Sequence, residues 1–229
     1  MIRKLGELFN AIYPELCVAC DERYPVDGSC FCFHCHSELP FTNFHLEHDN
    51  VVEKYFWGRL MIEKATALFY FQKGEVVQEM MHRLKYKNEG FIGKSLGIHF
   101  AQVLNESDFM DEIDLIIPIP IHPSKRKTRN YNQSALIAEG ISLITGIPFY
   151  ENILVKHRKS PSQTLKSREE RILNLMNTLK VNQSDLIQDR NVLIVDDILT
   201  TGATIEAACS LLSGYNCKLS VAVVAVGKY

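Results

Sequence analysis

The chain has 229 residues, with 25 Lys+Arg against 27 Asp+Glu, a formal net charge of -2 and 46% hydrophobic residues. That is enough for one sizeable core and too apolar for a disordered or collagen-like chain. No apolar run approaches the roughly 18 residues that a membrane-spanning helix needs, and near-neutrality argues against a generic nucleic-acid binder.

At the start, Ile2, Leu5, Leu8/Phe9 and Ile12 recur at helical spacing, and Tyr13-Pro14 closes the helix expected over 2–13. Its mixed charge is unlike the apolar stretch of a secretory signal, so a cytoplasmic protein with no membrane insertion is expected. Five of the seven cysteines follow between Cys17 and Cys35. In such a compartment a cluster of this kind reads as metal binding rather than as a disulfide framework. Cys17-Val-Ala-Cys20 and Cys32-Phe-His-Cys35 are two C-x₂-C pairs separated by 11 residues. Two such knuckles complete a closed, tetrahedral structural zinc site. Cys30 remains open as an alternative to Cys32, whereas His34 and His36 read as solvent-facing. Buried free thiols would not explain paired knuckles flanked by turn residues such as Asp27-Gly28.

A polar stretch then runs to about Val52 without an assignable element. A strand is expected over 66–71 and amphipathic helices over 75–86 and 90–104. From 113 onward strands (113–119, 152–155, 192–195, 218–226) alternate with helices (133–145, 168–177, 204–212). Short, continuously apolar strands between helices predict an α/β fold with a parallel sheet covered on both faces. Cys209 and Cys217 read as small core hydrophobes. The expected division is a module over 1–45 and a main domain over 46–229, whose hood elements occupy about 46–105.

Charge is segregated despite the neutral total. Lys125, Arg126, Lys127 and Arg129 form a basic loop after the 113–119 strand. Lys156, Arg158, Lys159, Lys166, Arg168 and Arg171 form a second basic stretch. Loops after strand ends in an open α/β sheet face one ligand-binding crevice, so both runs are candidates for its rim. The plainer alternative is two solvated faces.

The sharpest motif is Val192-Leu-Ile-Val-Asp196-Asp197-Ile-Leu-Thr200-Thr201-Gly202-Ala203-Thr204. A buried strand ends in two carboxylates, and a hydroxyl- and glycine-rich turn opens a helix. Backbone N–H groups at that helix start make an anion seat, which Thr200, Thr201 and Thr204 supplement with hydroxyls. Gly202 lets the backbone approach a phosphate. Two carboxylates would repel the same phosphate, so they suit the vicinal hydroxyls of a ribose with Mg²⁺ nearby. An ordinary helix cap explains the threonines but not the acids. A Walker-type NTPase reading fails because Gly93-Lys-Ser95 lacks its first glycine, position 88 being Asn.

This segment resembles the phosphoribosyl pyrophosphate (PRPP) loop of type I phosphoribosyltransferases. With Pro118-Ile-Pro120-Ile-His122, Arg129-Asn-Tyr131-Asn132-Gln133 and Ser162-Gln163-Thr-Leu165…Arg171…Asn174, the chain resembles the ComF family over roughly 10–227. The resemblance implies a type I phosphoribosyltransferase fold with a small N-terminal four-cysteine zinc module. It implies that Asp196 and Asp197 bind the ribose hydroxyls as the catalytic pair and that Thr200, Thr201, Gly202, Ala203 and Thr204 cradle the 5′-phosphate. The loop after Pro118, with Arg129, would meet the pyrophosphate, and Lys156, Arg158 and Lys159 would belong to a mobile loop closing over it. Asn130 stands where the family usually has Gly, and Lys156 where Arg is common; the latter weakens a bidentate clamp. His122 is a general-base candidate by type only, and Tyr131 is either a packing residue or a platform for a planar base.

The expected function is Mg²⁺-dependent phosphoribosyl transfer with pyrophosphate release to an acceptor that the sequence does not name. Two rivals remain: a protein of DNA uptake that grips single-stranded DNA, alone or with a DNA-uptake partner, and a PRPP sensor without turnover.

Overall fold

The computed structural model describes residues 16–26, 29–158 and 168–227. The helix expected over 2–13, Asp27-Gly28, Lys159, Ser162, Gln163, Leu165 and Lys166 lie outside the described residues. The elements within them run α1 (Phe33–Glu38), α2 (Val51–Phe56), β1 (Ala65–Phe71), α3 (Val76–Tyr86), α4 (Gly90–Leu104), β2 (Leu115–Pro118) and α5 (Pro123–Arg129). They continue with α6 (Gln133–Thr145), β3 (Leu154–Lys156), α7 (Arg168–Met176), β4 (Leu179–Val181), β5 (Asn191–Leu199), α8 (Ala203–Leu212) and β6 (Lys218–Gly227).

Strands β1, β6, β5 and β2, in that order, form one parallel sheet. Both faces are covered, which is why its strands read as nearly unbroken apolar runs. Alternation splits them: Leu193 and Val195 of β5 join one apolar cluster, and Val192 and Ile194 join the other. The first cluster takes Met80 and Leu84 of α3, Leu96 and Phe100 of α4, and Ile137 and Ile141 of α6. Cys17 and Phe31 belong to it as well, so the cysteine segment packs on the same core as the helices. The second takes Val52 and Phe56 of α2 and Ile205 and Leu212 of α8. Helices α4 and α6 meet backbone to backbone: a Cβ on Gly97 would strike the Ile137 carbonyl, and one on Gly140 the Lys94 carbonyl.

Three sequence expectations are corrected. The strand expected over 152–155 forms as β3, but it pairs antiparallel with β4 in a separate ribbon and not in the parallel sheet. Lys125, Arg126, Lys127 and Arg129 lie on a helix, not in a loop. Pro123 occupies its first turn, the His122 side chain accepts from the Ser124 N–H, and Asn130 ends it in the left-handed region at φ 65°. Asn130 therefore does what a glycine would do there. Finally, Asp196 and Asp197 do not end their strand. β5 continues to Leu199 because it stays paired with β6 through Leu199↔Val226, whereas its pairing with β2 stops at Pro118↔Val195. Among the described residues, no helix is long and apolar enough to cross a membrane.

Candidate functional site

Where β2 leaves β5, one edge of β5 is released and a cleft of about 590 Å³ opens over it. Its floor includes Asp196, Asp197, Ile198, Thr200 and Thr204, and one wall is the Ile119–His122 segment that follows β2. Strand ends of an open parallel sheet are where this architecture binds ligands, so the fold and the acids point to the same place.

The two aspartates differ. Asp196 Oδ1 accepts from Ser134 Oγ at 2.8 Å and from the Asp197 N–H at 2.9 Å. Burial first, and the neighbouring Asp197 second, push its carboxyl up to about 7. Asp197 Oδ2 instead meets Lys85 Nζ at 2.8 Å, an ion pair brought down by the end of α3. Lys156 also lines the cleft; burial and nearby Lys125 lower its ammonium's proton affinity while Asp196 opposes them. The result is an acidic floor facing a wall of cations, suited to a ligand with a neutral diol at one end and anionic oxygens at others.

Beyond Leu199 the chain turns through Thr200–Gly202 into α8. Gly202 caps that helix at φ 60°, where glycine is the unstrained choice. Thr200 and Thr204 line the cleft; Thr201 is exposed, and Gly202 and Ala203 are buried in the turn.

Of the residues singled out from sequence, the cleft brings together Asp196, Asp197, Thr200, Thr204, Arg129 and Lys156. Arg158 is exposed and outside the lining. Lys159 lies outside the described residues, and Arg168 turns toward α8 to meet Glu206 at 2.8 Å. Lys85 and Ser134 are lining residues that sequence reasoning missed, and Gln133, quoted only as part of the Arg129–Gln133 motif, lines the cleft as well. Tyr131 is a packing residue: its hydroxyl donates to the Leu84 carbonyl at 2.8 Å and its ring lies against Gly90. His122 lines the cleft, but as the cap of α5 its Nδ1 accepts from the Ser124 N–H, so a neutral ring carries its proton on Nε2.

Cys17, Cys20, Cys32 and Cys35 converge, with sulfurs all within 4.8 Å of one another. Cys32 Sγ accepts from the Cys35 N–H at 3.5 Å, which contributes most to lowering its thiol to about 7. Cys30 stands outside this quartet and burial pushes its thiol up to about 12, so Cys32 is the member of the cluster.

Residues 132–228 match the phosphoribosyl transferase domain. Competence protein F of Haemophilus influenzae is 26% identical over 202 residues, covering 86% of this chain and 83% of that protein. DNA utilization protein YhgH of Escherichia coli K12 is 25% identical over 201 residues, with the same 86% and 83% coverage. Competence protein ComFC of Bacillus subtilis is 21% identical over 232 residues, covering 90% and 92%. With the parallel sheet flanked by helices and the N-terminal cysteine cluster, these matches show a type I phosphoribosyltransferase fold in a chain that is similar over most of its length to competence and DNA utilization proteins.

Proposed function

We propose that the protein binds PRPP, or a closely related phosphorylated ribose, in this cleft and transfers the phosphoribosyl group to an acceptor with release of pyrophosphate. The observation that carries this reading is the meeting of Asp196, Asp197 and the Thr200–Thr204 turn on the floor of a cleft whose walls supply Lys85, Arg129 and Lys156. In this reading Asp196 and Asp197 hold the ribose hydroxyls. Thr200, Thr201 and Thr204, with backbone N–H groups of the turn at Gly202 and Ala203, hold the 5′-phosphate. Lys156 and Arg129 face the pyrophosphate, and the resemblance would add Arg158 and Lys159 to them. As the anomeric bond stretches, negative charge grows on the departing oxygens and positive charge on the ring; cations above and carboxylates below complement both. Removing one such preorganised group costs about 10²–10³ in rate. Carboxylate oxygens in a water-accessible cleft fit a Mg²⁺ shared with the ligand, which would neutralise part of the leaving group's charge.

The four-cysteine cluster fits a structural zinc. A Zn–S distance of about 2.3 Å places tetrahedral sulfurs about 3.8 Å apart, and Cys20 Sγ and Cys32 Sγ are 4.0 Å apart. Four thiolates leave no open position, so the metal has no catalytic part. The module over 1–45, the main domain over 46–229 with its hood over about 46–105, and a cytoplasmic location belong to the same proposal.

A second reading is single-stranded DNA binding, favoured by one feature of the lip. Tyr86 is 64% exposed there, with the Arg129 guanidinium 5.2 Å from its ring centroid and Lys125 nearby on the same cleft. Relatives named for competence and DNA utilization point the same way. An aromatic face beside cations suits stacked bases and phosphates. Single-stranded DNA binding predicts an affinity that falls steeply with salt and falls further when Lys125 and Lys127 are neutralised, whereas turnover and sensing separate on one assay. With PRPP, Mg²⁺ and a panel of bases and amines, transferase chemistry predicts pyrophosphate release that Asp197→Asn lowers at least about a hundredfold. Bound PRPP with no release across the panel contradicts turnover and leaves a sensor.

A further inference from the structure

We infer that Tyr55, Arg168 and Glu206 brace the phosphate-binding turn, setting both its shape and its charge, and that Arg168 is a positioning residue for the ligand's 5′-phosphate. The inference rests on the reading of the cleft proposed above. The three residues come from α2, the first residue of α7 and the first turn of α8.

Shape is set through one carbonyl. The Tyr55 hydroxyl donates to the Thr201 carbonyl, and Arg168 Nη2 lies 3.1 Å from the Tyr55 hydroxyl and 3.4 Å from the same carbonyl. In a planar trans peptide the carbonyl and the following N–H point in opposite directions. Holding the Thr201 carbonyl toward Tyr55 and Arg168 therefore fixes the Gly202 N–H away from them. The Tyr55 ring also fills the space that a Cβ on Gly202 would need. The turn is thus gripped from behind, and glycine at 202 is required twice over, by its φ of 60° and by the Tyr55 ring.

Charge is set through Glu206. Its carboxylate lies in the first turn of α8 and is 6% exposed. Unneutralised, it would oppose any phosphate at that helix start, where the helix dipole otherwise favours an anion. Arg168 Nη2 pairs with it at 2.8 Å and Arg59 Nη1 at 3.9 Å. Both guanidiniums also stand over the Tyr55 ring, at 4.8 Å for Arg59 and 5.3 Å for Arg168. One arginine therefore orients the turn and cancels the charge beneath it.

Calorimetry with ribose 5-phosphate, and with PRPP plus Mg²⁺, tests this on the full chain. Arg168→Met is expected to weaken both ligands by about tenfold or more, because a buried carboxylate loses its partner. Adding Glu206→Gln is expected to recover about threefold or more of that loss, since the uncompensated charge is gone. Arg168→Lys keeps the charge but not the planar fork and is expected to lose about threefold, which reads the same contact should the Met variant not fold. A role in stability alone would lower the melting temperature while the folded variants bind as wild type, and that result overturns the inference. So does a double variant no better than Arg168→Met. Wild-type protein that binds neither ligand overturns the proposed function itself, and the inference with it.

Discussion

Asp196 is placed where binding and stability conflict. Burial and its acidic neighbour hold its carboxyl near 7 against an ordinary 3.8, so between those values the folded chain keeps a proton that the unfolded chain has released. Stability therefore falls as pH rises through that window, and the charge that the proposed ribose site calls for is carried at a cost to the fold. Asp196→Asn retains an acceptor for Ser134 and for the Asp197 N–H and removes the titration. Thermal unfolding of the ligand-free variant is expected to lie above wild type at pH 8, by about 2–4 °C per kcal/mol recovered, with the gap shrinking toward pH 4. A difference that does not change with pH contradicts this view of Asp196. The acid pair itself was legible because two adjacent carboxylates closing an apolar run stand out in the sequence, although β5 runs on past them to Leu199. Lys85 and Ser134 were not. Each reaches the floor from another helix, and no local pattern records an approach across that much chain. Tyr55 lies 146 residues from the Thr201 carbonyl it holds, in a stretch that offered no element at all.

Among elements, long amphipathic helices were the most legible. Helices α4 and α6 start and stop where their apolar periodicity does, although nothing in that periodicity shows Gly97 and Gly140 as their point of contact. Short elements were lost, with signals that exist in retrospect. Asn50-Val-Val-Glu53 is a capping pattern: Asn50 accepts from the Val52 and Glu53 N–H groups, and Glu53 accepts back from the Asp49 N–H. Pro123 at the head of α5 was a start signal hidden among basic residues. The ribbon of β3 and β4 is too short for a period of two to register. The cysteine knuckles were legible because spacing alone dictates their geometry. Their consequence extends further, since Arg83 of α3 donates to the Val18 carbonyl at 3.1 Å and pairs with Glu89 at 2.5 Å and with Asp21 at 3.5 Å. The cysteine knuckle and α3 are therefore mechanically joined. Elemental analysis is expected to find equimolar zinc in the wild type and none in Cys17→Ser, whose melting temperature should fall by several degrees. Folded wild-type protein free of zinc contradicts this.

For the whole molecule, the decisive geometry is the edge of β5 that β2 abandons after Val195. It places two acids and the Thr200–Gly202 turn at one end of a parallel sheet, against cations carried by α3, α5 and β3. Fold class followed from alternating strands and helices, and the floor of the cleft followed from one contiguous motif. The lip did not, because Lys85 and Tyr86 on α3, Lys125 and Arg129 on α5 and Lys156 on β3 become neighbours only through folding. Since the lip is where an acceptor would enter, its identity has no linear signature. The ligand proposed for the floor has one, and titration calorimetry with PRPP and Mg²⁺ tests it. Wild-type protein is expected to bind with one site per chain, and Asp197→Asn, which leaves the fold's apolar clusters untouched, is expected to lose at least about tenfold in affinity. Equal binding by the two proteins, or none by either, contradicts the assignment of the cleft.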